Sequence, residues 1–140
     1  MKTNRLIFLS VLIILTSVFL VSKVVNKPDK LQNSAAPSQT NSQGTVSIAV
    51  TLKNVSQPVF KIVLDTHSGS LDEDIAASSV LIDDQGNTKQ PIAWEGNPAG
   101  GHHREGELKF QAITPGSKSI TLKIRDIGEV SERSFTWNLE

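Results

Sequence analysis

The sequence has no cysteine. That excludes disulfides, thiolate zinc sites, iron–sulfur ligation, cysteine nucleophiles and a lipid anchor on cysteine. It has no surplus charge either, with 14 basic and 14 acidic residues. The balance is uneven along the chain. Lys2, Arg5, Lys23, Lys27 and Lys30 face only Asp29 near the N-terminus, and the remainder carries nine basic against thirteen acidic residues. A mildly acidic body with scattered lysines lacks the positive footprint of a nucleic-acid binder, so no such partner is expected. Signature chemistry is sparse as well. Asp72-Glu73-Asp74 lacks the spaced oxygen ligands and central glycine of a calcium loop. Gly100-Gly101 lacks the following helix that a phosphate loop requires. Asp65, His67 and Ser68 sit too close together in one strand-to-loop segment to assemble as a triad. These patterns predict no enzyme.

What is present begins with one apolar run. Leu6 to Ser22 is seventeen residues without a charge, extended past Lys23 by Val24 and Val25. As a helix the run spans about 25 Å, near the lower limit for crossing a bilayer, and Lys23 can snorkel to the interface. Lys2 and Arg5 place the N-terminus on the cytoplasmic side. No Ala-x-Ala pattern comes closely after it, which favours an uncleaved single-pass anchor over residues 1–25, bound to the membrane through 6–25, rather than a removed signal peptide. Either reading puts the remainder of the chain outside the cytoplasm. Residues 26–44 are rich in Ser, Gln, Asn and Pro and poor in apolar side chains, so they read as a flexible tether.

From residue 45 to 140 the hydrophobic period is two. Val46, Ile48, Val50 and Leu52 alternate with small or polar residues, as do Phe60, Ile62 and Leu64, then Leu108, Phe110 and Ala112, then Ile120, Leu122 and Ile124. Val80–Ile82, Ile92 with Trp94, and Phe135, Trp137 and Leu139 add shorter strands. Only Leu71 to Ser79 has room for a turn of helix. About seven strands in a domain of this size predict an all-β, immunoglobulin- or fibronectin-III-like two-sheet sandwich after one transmembrane helix. Trp94 and Trp137 fall at strand positions and read as core.

Two stretches depart from ordinary strand-and-turn sequence. One is Leu64 to Asp74, of the form LDTHSxxLDxD, and the other is Trp94 to Phe110, of the form WEGxxxGGHHRxGxLxF. Together they resemble a family of secreted or membrane-anchored bacterial and archaeal domains with no established activity. The resemblance implies an outside location and supplies no reaction.

All three histidines lie in these stretches. Imidazole with carboxylate suits copper or zinc, so His67, His102, His103 and Asp65 form a candidate metal set if the two segments meet at one end of the sandwich. The competing expectation is a protein-interaction or structural domain. In it, Asp72, Asp74, Glu95, Arg104 and Glu105 join the histidines in a polar network that fixes the loops, and a protein partner at the cell surface replaces the metal. Extending the alternation back from Leu108 puts His102 and Arg104 inward and His103 outward. An inward arginine sits badly in a core, so the regular strand is expected to begin near Gly106, after a loop or bulge.

Overall fold

A computed structural model describes residues 36–139 of the chain. The expected anchor and the first part of the expected tether lie outside the described residues. The described part contains nine strands: β1 (Gln39–Asn41), β2 (Val46–Asn54), β3 (Val59–Thr66), β4 (Ser79–Asp83), β5 (Thr88–Lys89), β6 (Pro91–Gly96), β7 (His103–Phe110), β8 (Ser119–Ile127) and β9 (Val130–Asn138). They form two antiparallel sheets, one ordered β1-β2-β3-β7-β6 and the other β5-β4-β8-β9. The chain makes the β2–β3 hairpin, crosses to the second sheet for β4–β5, returns for β6–β7, and crosses again for β8–β9.

The period-two pattern fixes which face is inside. In β2 the side chains of Val46, Ile48, Val50 and Leu52 are buried, and β3 contributes Phe60, Ile62 and Leu64 in the same way. The second sheet answers with Ile120, Leu122 and Ile124 from β8 and Phe135 and Trp137 from β9. Phe60 stands at the centre, edge-on to Phe110 at 5.7 Å between ring centroids and 5.1 Å from Trp137. Such aromatic contacts add to the area they remove from water. The β8–β9 hairpin turns through Gly128 and Glu129, both at positive φ, the conformation that matches a tight two-residue connection to the twist of its strands.

The seven expected strands are β2, β3, β4, β6, β7, β8 and β9. Two short strands are additional. β1 lies inside the stretch expected to be tether, so the folded unit begins earlier than residue 45. Gln39, Thr40 and Asn41 pair with Val50, Ala49 and Ile48, and the Ala36 N–H bonds the Leu52 carbonyl. These residues have no apolar alternation of their own; the unpaired edge of β2 supplies the partner. Their other anchor is Arg133 of β9, which is buried and donates to the Gln43, Val46 and Ile127 carbonyls and the Asn41 side-chain oxygen. Gln39 also reaches the Thr136 carbonyl of β9 at 2.8 Å. The segment 36–46 thereby ties one sheet to the other.

Candidate functional site

The two unusual stretches do meet, at one end of the first sheet. Asp65 on β3 pairs directly with His103 on β7, and both side chains point outward. The His103 Nδ1 lies 2.6 Å from the Asp65 Oδ1, with each side chain about half exposed (55%). That contact orients the imidazole on the exposed face of the sheet. His67 and His102 do not join it. Both are exposed, and neither imidazole hydrogen-bonds among the described residues; His102 contributes only its backbone carbonyl, which accepts the Thr66 N–H at 2.9 Å. The four expected ligands therefore supply one contacting pair. Among the described residues, no group of three or more His, Asp or Glu side chains is placed to hold a metal ion.

The expectation about strand β7 needs correcting. The strand is regular from His103, and Arg104 points inward and is buried (3% exposed). Its Nη1 donates to the carbonyls of Leu71 and Glu73, each at 2.8 Å, and its guanidinium lies 5.8 Å from the centre of the Trp94 ring. A buried cation is tolerable when carbonyls and an aromatic face replace its water. Arg104 thus does what a hydrophobic residue at that position could not: it satisfies the carbonyls of a loop folded over the end of the core.

The rest of the second stretch serves the same end. Gly100 N–H bonds the Leu71 carbonyl at 2.8 Å and Leu71 N–H bonds the Gly101 carbonyl at 3.0 Å, so the two loops zip together through backbone. Gly100 and Gly101 take φ of 113° and 75°, which strain any residue with a side chain. Asn97 closes the β6–β7 connection, its backbone N–H donating to Glu105 and its side chain accepting from the Glu105 N–H. Gly96 and Gly106 face each other across that hairpin. A Cβ on Gly106 would come within 2.6 Å of the Gly96 Cα and 2.8 Å of the Trp94 ring, so the indole fills the space two side chains would need.

The first stretch is accounted for similarly. Leu64 and Leu71 are core. Thr66, which sequence reasoning passed over, is buried, with its hydroxyl 2.6 Å from the Ser68 carbonyl and 3.0 Å from that of Thr45. Asp74 accepts from the N–H groups of Ala76 and Ala77 and caps the single helical turn after it. Asp72 accepts from the Ser70 hydroxyl at 2.8 Å. Glu95 pairs with Lys109, and Glu105 with Lys61, on the outer face of the sheet. Strand parity carried a signal for Arg133 as it did for Arg104, since Arg133 sits two residues before inward Phe135. Burial holds the Arg133 guanidinium below its usual range, while the charge on Glu73 acts in the opposite direction.

Two shallow hollows flank this end of the domain. One, of about 340 Å³, is lined by Lys61, Glu95, Asn97, Glu105 and Glu107 over the Gly96–Gly106 pair. The other, of about 310 Å³, lies between Ser68, Ser70, Glu73, Asp126 and Glu129. Comparison with protein-family models, curated proteins and solved structures finds no match to this chain.

Proposed function

We propose that this protein is a membrane-tethered module outside the cytoplasm that binds a protein neighbour and turns nothing over. The observation that carries the reading is the way the two polar stretches spend their bonding groups inside the domain: Arg104 on the Leu71 and Glu73 carbonyls, Asn97 on Glu105, Asp74 on its own turn. Residues tied into the fold in this way are not free to form a reaction centre. The strand order supports an immunoglobulin-like architecture. The run β2-β3-β7-β6 opposite β5-β4-β8-β9 follows the A-B-E-D and C′-C-F-G succession of such sandwiches, a scaffold that serves recognition in many contexts. The β6 edge adds an accessible contact, carrying Ile92, which is 52% exposed. An edge strand presents unpaired backbone groups to a partner.

The apolar run Leu6–Ser22, extended past Lys23 by Val24 and Val25, supplies the membrane anchor, with Lys2 and Arg5 on the inner side. The test joins location and contact. Protease added to intact spheroplasts is expected to remove residues beyond 36, and a photo-crosslinking residue at Ile92 in the full-length chain is expected to give one discrete adduct with a second protein. Protection from protease overturns the location, and absence of a discrete adduct from Ile92 and from the outward face of β7 overturns the binding role.

A second reading, a copper- or zinc-binding surface, is favoured by the Asp65–His103 contact alone, which resembles the carboxylate-backed imidazole of many metal sites. One equivalent of metal retained by the purified protein and lost in His103→Ala selects it.

A further inference from the structure

The turn between β2 and β3 carries chemistry that the binding role does not use. Residues Asn54-Val55-Ser56 form an Asn-x-Ser acceptor sequence, and among the eight asparagines of the chain no other has Ser or Thr two residues on. The fold arranges these three residues in a specific way. Val55 is half-buried and packs against the core, while Asn54 and Ser56 on either side of it are exposed. The two residues whose polar groups a glycosyl transferase must reach therefore point to solvent, and the middle residue anchors the turn. Asn54 is the last residue of β2 and pairs with Val59 just past the register shift that follows Leu52, so the acceptor sequence begins where the ladder ends. Its Oδ1 accepts the Gln57 N–H at 3.2 Å, which holds the amide plane in place. Its Nδ2 makes no hydrogen bond among the described residues.

We propose that Asn54 is a site of N-linked glycosylation, the donor being a lipid-linked oligosaccharide phosphate on the outer side of the membrane. The inference rests on the extracytoplasmic location proposed for the domain. In the reaction the Asn54 Nδ2 bonds to the anomeric carbon of the sugar as that carbon's bond to the phosphate oxygen breaks. The lipid phosphate leaves with the electron pair, and one amide proton passes to the transferase base. Placement favours the modification without disturbing the rest of the domain. The β2–β3 turn is at the opposite end of β3 from Asp65, so a glycan there leaves the Asp65–His103 end uncovered. A bulky, hydrated group on this turn also shields the end of the sandwich where residue 36 joins it through Leu52.

The experiment is an intact-mass measurement on the full-length chain purified from membranes of its native host. A mass increment of one oligosaccharide is expected, lost in Asn54→Gln and in Ser56→Ala and retained in Ser56→Thr. Both altered positions are exposed, so thermal melts of the bacterially expressed variants should match the parent and exclude misfolding as the cause of loss. A peptide spanning Asn54 found solely at its unmodified mass overturns the proposal. Protease accessibility measured on the same cells separates the two inferences: an accessible domain with bare Asn54 removes the glycan and leaves the location standing, whereas an inaccessible one removes both.

Discussion

Asp65 and His103 face each other across β3 and β7 on the outer surface of the first sheet, with 2.6 Å between carboxylate oxygen and imidazole nitrogen and, among the described residues, no third ligand-type side chain grouped with them. The pair is a cross-strand contact on a solvated face. Removing it by Asp65→Ala, His103→Ala or both is expected to change stability by less than about 1 kcal/mol, the range of exposed ion pairs. Urea denaturation of the two single variants and the double variant measures this. A coupling above about 2 kcal/mol would mean that the pair is held far more rigidly than the range for exposed pairs implies.

Arg104 is the opposite case. Arg104→Met keeps much of the volume but strips the Glu73 carbonyl of its donor and leaves the Leu71 carbonyl with the Gly100 N–H alone, and a loss of about 1–3 kcal/mol is expected from the unsatisfied group. Arg104→Lys should recover part of the loss, because one nitrogen, Nη1, serves both carbonyls and an ammonium with three donors can take its place, whereas the planar group beside the Trp94 ring is lost. Near-parent melting of the lysine variant would show that the guanidinium contact with Trp94 adds nothing to stability.

The N-terminal boundary offers a direct comparison. A chain starting at Thr45 lacks β1 and deprives Arg133 of the Asn41 side chain and the Gln43 carbonyl. It is expected to be at least about 2 kcal/mol less stable than a chain starting at Ala36, since hydrogen bonds to a buried charge are among the stronger ones. It also uncovers the β2 edge, so sedimentation should show more self-association. Equal stability and equal mass in the two chains would make β1 an ornament of the fold.

The acid limb of stability should show Asp83. Burial raises the pKa of this carboxyl, but hydrogen bonds from the Asn87 side chain, the Thr114 hydroxyl and the backbone of Asn87 and Gln85 outweigh it and hold the group at about 2, below its ordinary 3.8. A depressed carboxyl stabilises the folded state above its unfolded pKa and loses that contribution as pH falls through the folded one. The stability gap between the parent and Asp83→Asn is therefore expected to be constant at neutral pH and to shrink between about pH 4 and about pH 2. Urea midpoints across that range give the measurement, and a gap that persists unchanged to the acid end contradicts the assignment.

The sequence by itself determined the all-β class, seven of the strands and the inward faces of the longer ones, because a period of two is a local property that burial of one face imposes residue by residue. It misled at Ile92, which a register shift in the β6 edge leaves exposed, and at Ala112, which lies past the end of β7. It also determined that Arg104 would point inward; the error lay in supposing that the core would refuse it. What only the tertiary structure decided are features whose partners lie far along the chain. Polar Gln39–Asn41 becomes a strand because β2 offers an edge and Arg133, ninety or so residues on, needs acceptors. Arg104 is tolerated because the loop at Leu71–Glu73 brings two carbonyls to it. Three histidines close in sequence pattern separate in space because strand parity turns His103 outward to Asp65, while His67 and His102 lie beyond the ladder in loops whose path is set by backbone bonds between Leu71 and the two glycines. Hydrogen-bond partners of that range leave no periodicity for a sequence to display.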